Sequence, residues 1–294
     1  MENGRYFAAR THFDIMTLNR ILVFGAKGNI RQGLKPLVFS PTPQGIEDAT
    51  EGSIILIARL LSMVDIGPQP YRPRDVNSVQ WKDDTIDLRQ LLVNHFVPQV
   101  PGNQSDAGYD QDLTAHNLHR YAELEFEWTD NLADHLRISN NGAKVAIFSH
   151  ATFLRYTGNN VLPDGLAAET FQTLALLFPR YDYKAREWFN AKFSSELAGG
   201  SIDSQVLECE ERYGRHGNDF KYWRKEMNAL QAILDNPKPK SIFQHFKNRR
   251  NIVQWYTFWV AILVLILTVF FGLAQSVLSA VQVYKAYHPT SAGT

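Results

Sequence analysis

This 294-residue chain predicts an α+β unit, with an N-terminal mixed or β-rich region and a mainly helical region after it, followed by one long C-terminal transmembrane helix. Three observations predict it. Over the first hundred residues, short apolar runs are broken by glycine and proline at strand-like spacing. From Asp112 onward, apolar residues recur at helical spacing. Residues 252–284 contain no Asp, Glu, Lys, Arg or His.

The runs 20–24 and 35–40 are bounded by Gly25, Gly28, Gly33, Pro41 and Pro43, as strands joined by turns would be. SIILIARLLSMV at 53–64 is apolar nearly throughout and fits a buried strand or a short helix, which periodicity alone does not separate. GPQPYRPR at 67–74 is an extended connector, after which Val79 and Trp81 fit a short strand. Asp84 is expected to cap a helix over 86–96 that places Ile86, Leu88, Leu91, Leu92 and His95 mainly on one face. This mixed α/β region, residues 1–100, then gives way to a loop at 101–111, rich in Pro, Gly, Asn, Ser and Asp.

In the mainly helical region, residues 112–237, helices are expected over 113–126 and, capped by Thr129, through Leu136. Asn140-Asn141-Gly142 turns into a strand over 144–148. Helices follow over 166–178, 184–197 and 203–234, the last broken near 214–217. Gly199-Gly200-Ser201 separates two of them, and Pro237 and Pro239 end the series. A basic juxtamembrane segment (238–251), the transmembrane helix (252–287) and a short tail (288–294) complete the chain.

A hydrocarbon core about 30 Å thick takes roughly 20 apolar helical residues, and 255–274 supplies them without a charge or a proline. Lys238, Lys240, Lys247, Arg249 and Arg250 precede the span, while Lys285 is the only full charge beyond it. By the positive-inside tendency the N-terminal domain is cytosolic. Trp255, Tyr256 and Trp259 fit the aromatic belt on the entry side, and Tyr284 with Tyr287 the exit side. With so few residues after the span, a tail-anchored, single-pass arrangement is expected. The aromatic, nearly uncharged exit favours the endoplasmic reticulum or secretory system over the outer mitochondrial membrane. The sequon Asn103-Gln104-Ser105 should then stay unmodified.

The second half of the span changes character. Gly272, Gln275, Ser276, Ser279 and Gln282 recur at helical spacing, either to meet another helix, a second copy included, or to face water at the interface. All 30 acids precede residue 238, against 24 of the 30 basic residues, so the domain carries about six net negative charges. That sign excludes an ordinary nucleic-acid binder, which needs a basic face. The basic segment points instead to membrane lipid.

Four constellations bear on chemistry. Gly25-Ala26-Lys27-Gly28 has some of the pattern of a nucleotide phosphate loop, but Arg31 stands where a third glycine belongs, and a glycine turn between two strands is expected. His116, His119 and Glu123 fall at i, i+3 and i+7, the spacing for a metal on one helix face; without the metalloprotease glutamate, a solvated face is expected. Ser149-His150 and Asp134-His135 contain the residue types of a nucleophile, base and orienting acid, but lack a turn that presents the serine. Cys209, the only cysteine, sits between Glu208 and Glu210 and is expected to be a half-buried helical residue. No cofactor or metal is expected.

The run Trp128-Thr129-Asp130-Asn131-Leu132 with His135-Leu136, then Ala168-Glu169-Thr170 leading to Leu174-Ala175-Leu176-Leu177-Phe178-Pro179, and finally 255–272 with Gln282-Val283-Tyr284-Lys285-Ala286-Tyr287, resembles a pattern in uncharacterised proteins of filamentous fungi. The resemblance implies a fungal membrane protein and brings no activity, cofactor or catalytic residue. The expectation is a non-enzymatic interaction or scaffold domain held at a membrane, with an unidentified protein partner. Two alternatives are a membrane-surface enzyme on a small molecule and a nucleotide-binding regulator.

Overall fold

The computed structural model describes residues 25–35, 42–68, 77–99, 108–139, 142–156, 161–209, 219–236 and 252–287. The runs at 20–24 and 36–40, the sequon, the break at 214–217 and the basic juxtamembrane segment lie outside them. The chain divides into two compact units, Met1–Pro237 and Lys238–Thr294.

In the first unit, α1 (Lys27–Leu34) is joined to α2 (Pro43–Ser62) by charge. Lys27 Nζ lies 2.6 Å from Glu51 Oε1, and Arg31 pairs with both Glu51 and Asp84. The stretch 53–64, open between strand and helix from its sequence, lies mostly in α2. The Thr42 hydroxyl accepts the Gly45 N–H, Pro43 opens the first turn, and Ile54, Ile57 and Ala58 bury one face. Its serines suit a helix, because Ser53 and Ser62 donate to the carbonyls of Ala49 and Ala58 one turn back. Met63 ends it in the left-handed region. Gly67 follows at φ +82°, in the left-handed region that favours glycine, where a Cβ would lie 2.7 Å from the end of the Ile55 side chain.

Val79 makes a single parallel bridge to Ile66, and Trp81 lies outside any strand, buried beneath the Lys27 ammonium. α3 (Leu88–His95) is capped by Asp87, not Asp84; the Asp84 carbonyl and carboxylate are engaged by Gly28 and Arg31.

The helix expected over 113–126 is cut short. α4 (Ala115–Ala122) is capped by Thr114 and ended by Glu123 at φ +52°, and β1 (Glu125–Thr129) takes the rest. Two-residue alternation explains the switch: Phe126 and Trp128 share one face of the strand and pack edge-on or tilted against Phe178, Trp188, Phe189 and Phe193. Thr129 therefore ends a strand, and the turn after it, a 3-10 helix at Leu132–Asp134, is capped by Asn131. β2 (Ile138–Ser139) and β3 (Lys144–Phe148), the latter at its expected place, complete a sheet of order β1-β3-β2. β1 runs parallel to β3, with Glu125 opposite Lys144 and Thr129 opposite Phe148; β2 is antiparallel.

Helices dominate the remainder, though the helix expected over 203–234 is reduced to a 3-10 turn and a helix that starts only at Arg224. α5 (Ala151–Tyr156) is followed by α6 (Leu166–Leu177), α7 (Tyr183–Ala198), a 3-10 turn at Ser204–Glu208, and α8 (Arg224–Asp235). α6 is the core helix, buried on nearly every side from Leu166 to Leu177. Its one acid, Glu169, accepts the N–H groups of Lys221, Tyr222 and Trp223 at 2.7–2.8 Å, capping the entry to α8 from another element. Burial holds this carboxyl above its usual range, against the downward pull of those three bonds.

The second unit is described over α9 (Ile252–Tyr287), 36 residues or about 54 Å long. Within it Trp259–Tyr284 is long and apolar enough to cross a membrane, and none of that window is buried. The fold is α+β with one long apolar C-terminal helix.

Candidate functional site

The glycine pair of the phosphate-loop pattern opens α1 and does not form the expected turn between strands. The first N–H groups of α1 are occupied: Lys27 N–H donates to the Ile86 carbonyl at 3.1 Å and Gly28 N–H to the Asp84 carbonyl at 2.8 Å. Lys27 Nζ, 2 % exposed as a residue, donates to Glu51 and to the Trp81 carbonyl, both at 2.6 Å. A helix start whose first donors meet carbonyls and carboxylates repels phosphate.

His116 and His119 share a face of α4, as their spacing requires, and both rings lie against Trp188, at 5.8 and 5.4 Å. His119 Nδ1 donates to the Leu124 carbonyl at 3.1 Å, and the Lys192 ammonium stands 3.4 Å away. Glu123 sits at the left-handed end of the helix. No group of three His, Cys, Asp or Glu among the described residues is arranged to hold a metal. Burial depresses the basicity of His116, with Arg120 adding to the effect.

His135 and His150 have separate roles. His135 is wholly buried; its Nδ1 accepts the Phe148 N–H at 3.2 Å and its Nε2 lies 2.6 Å from Thr173 Oγ1. Thr173 Oγ1 donates to the Thr170 carbonyl at 2.6 Å, so it accepts from His135, and the imidazole is neutral with its proton on Nε2. Burial pushes its pKa down to about 3. Both nitrogens are committed to the core, which removes His135 as a base. Asp134 is likewise internal, accepting from the Asn77 N–H, Asn131 Nδ2 and Arg137 Nε.

Ser149 and His150 leave the carboxyl end of β3, and Asp130 leaves that of β1. His150 Nε2 lies 2.8 Å from Asp130 Oδ1, and Ser149 Oγ donates to the same oxygen at 3.3 Å. Both side chains meet the acid, and the Ser149 hydroxyl bonds to the Thr129 carbonyl and Asp130 but not to the imidazole, as a nucleophile would bond to its base. Asp130, which completes this group, is not among the residues that spacing proposes for a site; its only signal is a place just past a strand, visible once β1 is recognised.

Cys209 is buried just past the 3-10 turn, not half-buried in a helix. It donates to the Gln205 carbonyl, and burial raises the thiol to about 12, which leaves no thiolate for catalysis.

The residues expected to flank and line the apolar helix complete the set. Lys247, Arg249 and Arg250 lie outside the described residues, and Trp255 and Lys285 fall within the backbone of α9. Trp259 and Tyr284 bracket the apolar window and are exposed. Gly272, Gln275, Ser279 and Gln282 are exposed along α9. No protein-family model, curated protein or solved structure matches this chain.

Proposed function

We propose that α9 fixes this protein in a membrane as a single-pass anchor, with Met1–Pro237 displayed in the cytosol as an interaction domain. The carrying observation is the 26-residue apolar window Trp259–Tyr284, none of which is buried, since a core helix of that length would be covered by protein. The five basic residues ahead of the span against Lys285 behind it support the cytosolic side, and the aromatic, weakly charged exit supports the endoplasmic reticulum or secretory system. A binding role for the domain draws support from its ionisable groups, because His135, Asp134, Glu169, Lys27 and Cys209 are spent on the fold.

Deleting 255–287 tests the anchor: the full chain should resist alkaline extraction from membranes and the truncated chain should appear in the soluble fraction. Retention of the truncated chain overturns the reading. For orientation, Asn103 should remain unglycosylated in cells; a glycan there would put the domain on the other side. Proximity labelling from the intact protein identifies the partner.

A second reading, an enzyme on a small molecule, rests on the Asp130–His150 pair at the carboxyl ends of two parallel strands, where ligands of α/β sheets bind. It requires that His150→Ala abolish turnover or ligand binding while leaving the melting temperature unchanged.

A further inference from the structure

α9 carries a pattern finer than its hydrophobicity. Taking Leu265 as the first position of a heptad, the a positions are Leu265, Gly272 and Ser279, and the d positions are Ala261, Thr268, Gln275 and Gln282. Except for Leu265, every one is small or polar, and together they fall within about 100° of the helix circumference. Bulky Leu263, Ile266, Phe270, Leu273 and Val277 lie on the other side. A seam repeating every 3.5 residues is the signature of a left-handed helix pair.

The amides decide what the seam meets. The hydroxyls of Thr268 and Ser276 are satisfied within the helix by the carbonyls of Val264 and Gly272, at 2.7 and 2.9 Å. The side-chain amides of Gln275 and Gln282 have no partner among the described residues. Trp259–Tyr284 is 26 residues long, and any stretch of ~20 residues within it that fills the hydrocarbon includes Gln275. An amide there has no water to bond, so it needs an acceptor and a donor at its own depth.

A second copy inserted in the same orientation supplies both. It brings Gln275 to the depth of Gln275, and an amide is self-complementary, donating through nitrogen and accepting through oxygen. Gly272 and Ser279, the a positions on either side, allow the backbones to approach closely enough for the amides to meet. We propose that α9 pairs in parallel with α9 of a second copy of this chain along this seam, with Gln275 as its central contact. The proposal rests on the membrane reading above.

Single cysteines introduced into the full-length chain in its native membrane test it, with the unmodified chain and its buried Cys209 as control. Under mild oxidation Gly272→Cys and Ser279→Cys should form disulfide-linked dimers, whereas Phe270→Cys and Val277→Cys, on the opposite face, should not. Gln275→Leu with Gln282→Leu should lower the dimer fraction at equal expression, with a dimerisation constant weaker by roughly 3- to 30-fold per lost amide contact. Equal cross-linking from all faces, or none from 272 and 279, in protein that still resists alkaline extraction overturns the seam and leaves the anchor standing. Failure of the unmodified chain to resist extraction overturns both.

Discussion

α6 and α9 are both apolar helices, and their surroundings are opposite. In α6, Leu174, Leu176 and Leu177 are fully buried, each contributing about 1.5–3 kcal/mol of transfer free energy, and the polar groups are answered by other elements. Glu169 takes three backbone N–H groups, Thr170 Oγ1 accepts from Trp223 Nε1 at 2.8 Å, and Thr173 accepts from His135. In α9, Leu265, Phe270 and Leu273 are more than 60 % exposed, and two glutamine amides have no partner among the described residues. An apolar helix of 12 residues finds its solvent inside the domain. One three times as long has no such cover.

The contrast is most easily broken by a charge. Leu174→Asp in α6 should leave the domain unfolded, at a cost of about 5 kcal/mol or more, seen as loss of cooperative melting. Leu267→Asp in α9 should leave domain melting unchanged and lower only the fraction resistant to alkaline extraction. If both variants melted alike, the two helices would not differ as described.

Next in size is Glu169→Ala, which strands three backbone donors at the entry to α8. A loss of roughly 3 kcal/mol is expected in chemical denaturation, and Glu169→Gln, which keeps one acceptor oxygen, should lose less.

His135 sets a pH dependence of comparable reach. Its folded pKa of about 3 lies below the unfolded value of about 6.5, so the unfolded chain binds the extra proton between them. Stability from this group is fully present above about pH 6.5 and falls by up to about 1.4 kcal/mol for each unit of acidification toward pH 3. His135→Gln should flatten the acid limb of a stability-against-pH curve; an unchanged slope would remove His135 as its cause. Thr173→Val, which takes the acceptor from His135 Nε2–H, should cost about 1–3 kcal/mol at neutral pH.

The smallest effect belongs to α9. Gln275→Leu should leave the domain's unfolding free energy within about 0.5 kcal/mol of the parent, because the amide bonds to no described residue of the chain. A larger change would mean that it has a partner within the chain.

Much of the helical half was legible because spacing carried it: α6, α7 and β3 lie within a residue or two of where periodicity puts them. The stretch 113–129 was not, because Leu113 to Phe126 also satisfies helical spacing. What ended α4 was the left-handed Glu123, and what recruited β1 was an aromatic cluster on α7, some sixty residues away. The helix cap at Asp87 differs from the Asp84 expected from sequence for the same reason, since Arg31 and Gly28, brought from a distant segment, engage Asp84. Among the site candidates, His116 and His119 could be placed on one face, but nothing local announced Trp188 beneath them. The Asp130–His150 pair depends on two strand ends 20 residues apart.

The apolar C-terminal stretch, the charge that flanks it and the spacing of its small and amide residues can be read from the linear chain, since a count of residues along one helix suffices to describe them. Which polar residues are spent is settled by packing. Whether Glu169, His135, Lys27 or Cys209 is available for chemistry depends on partners brought from distant segments, and for Glu169, His135 and Cys209 burial is the largest cause of the shift in protonation.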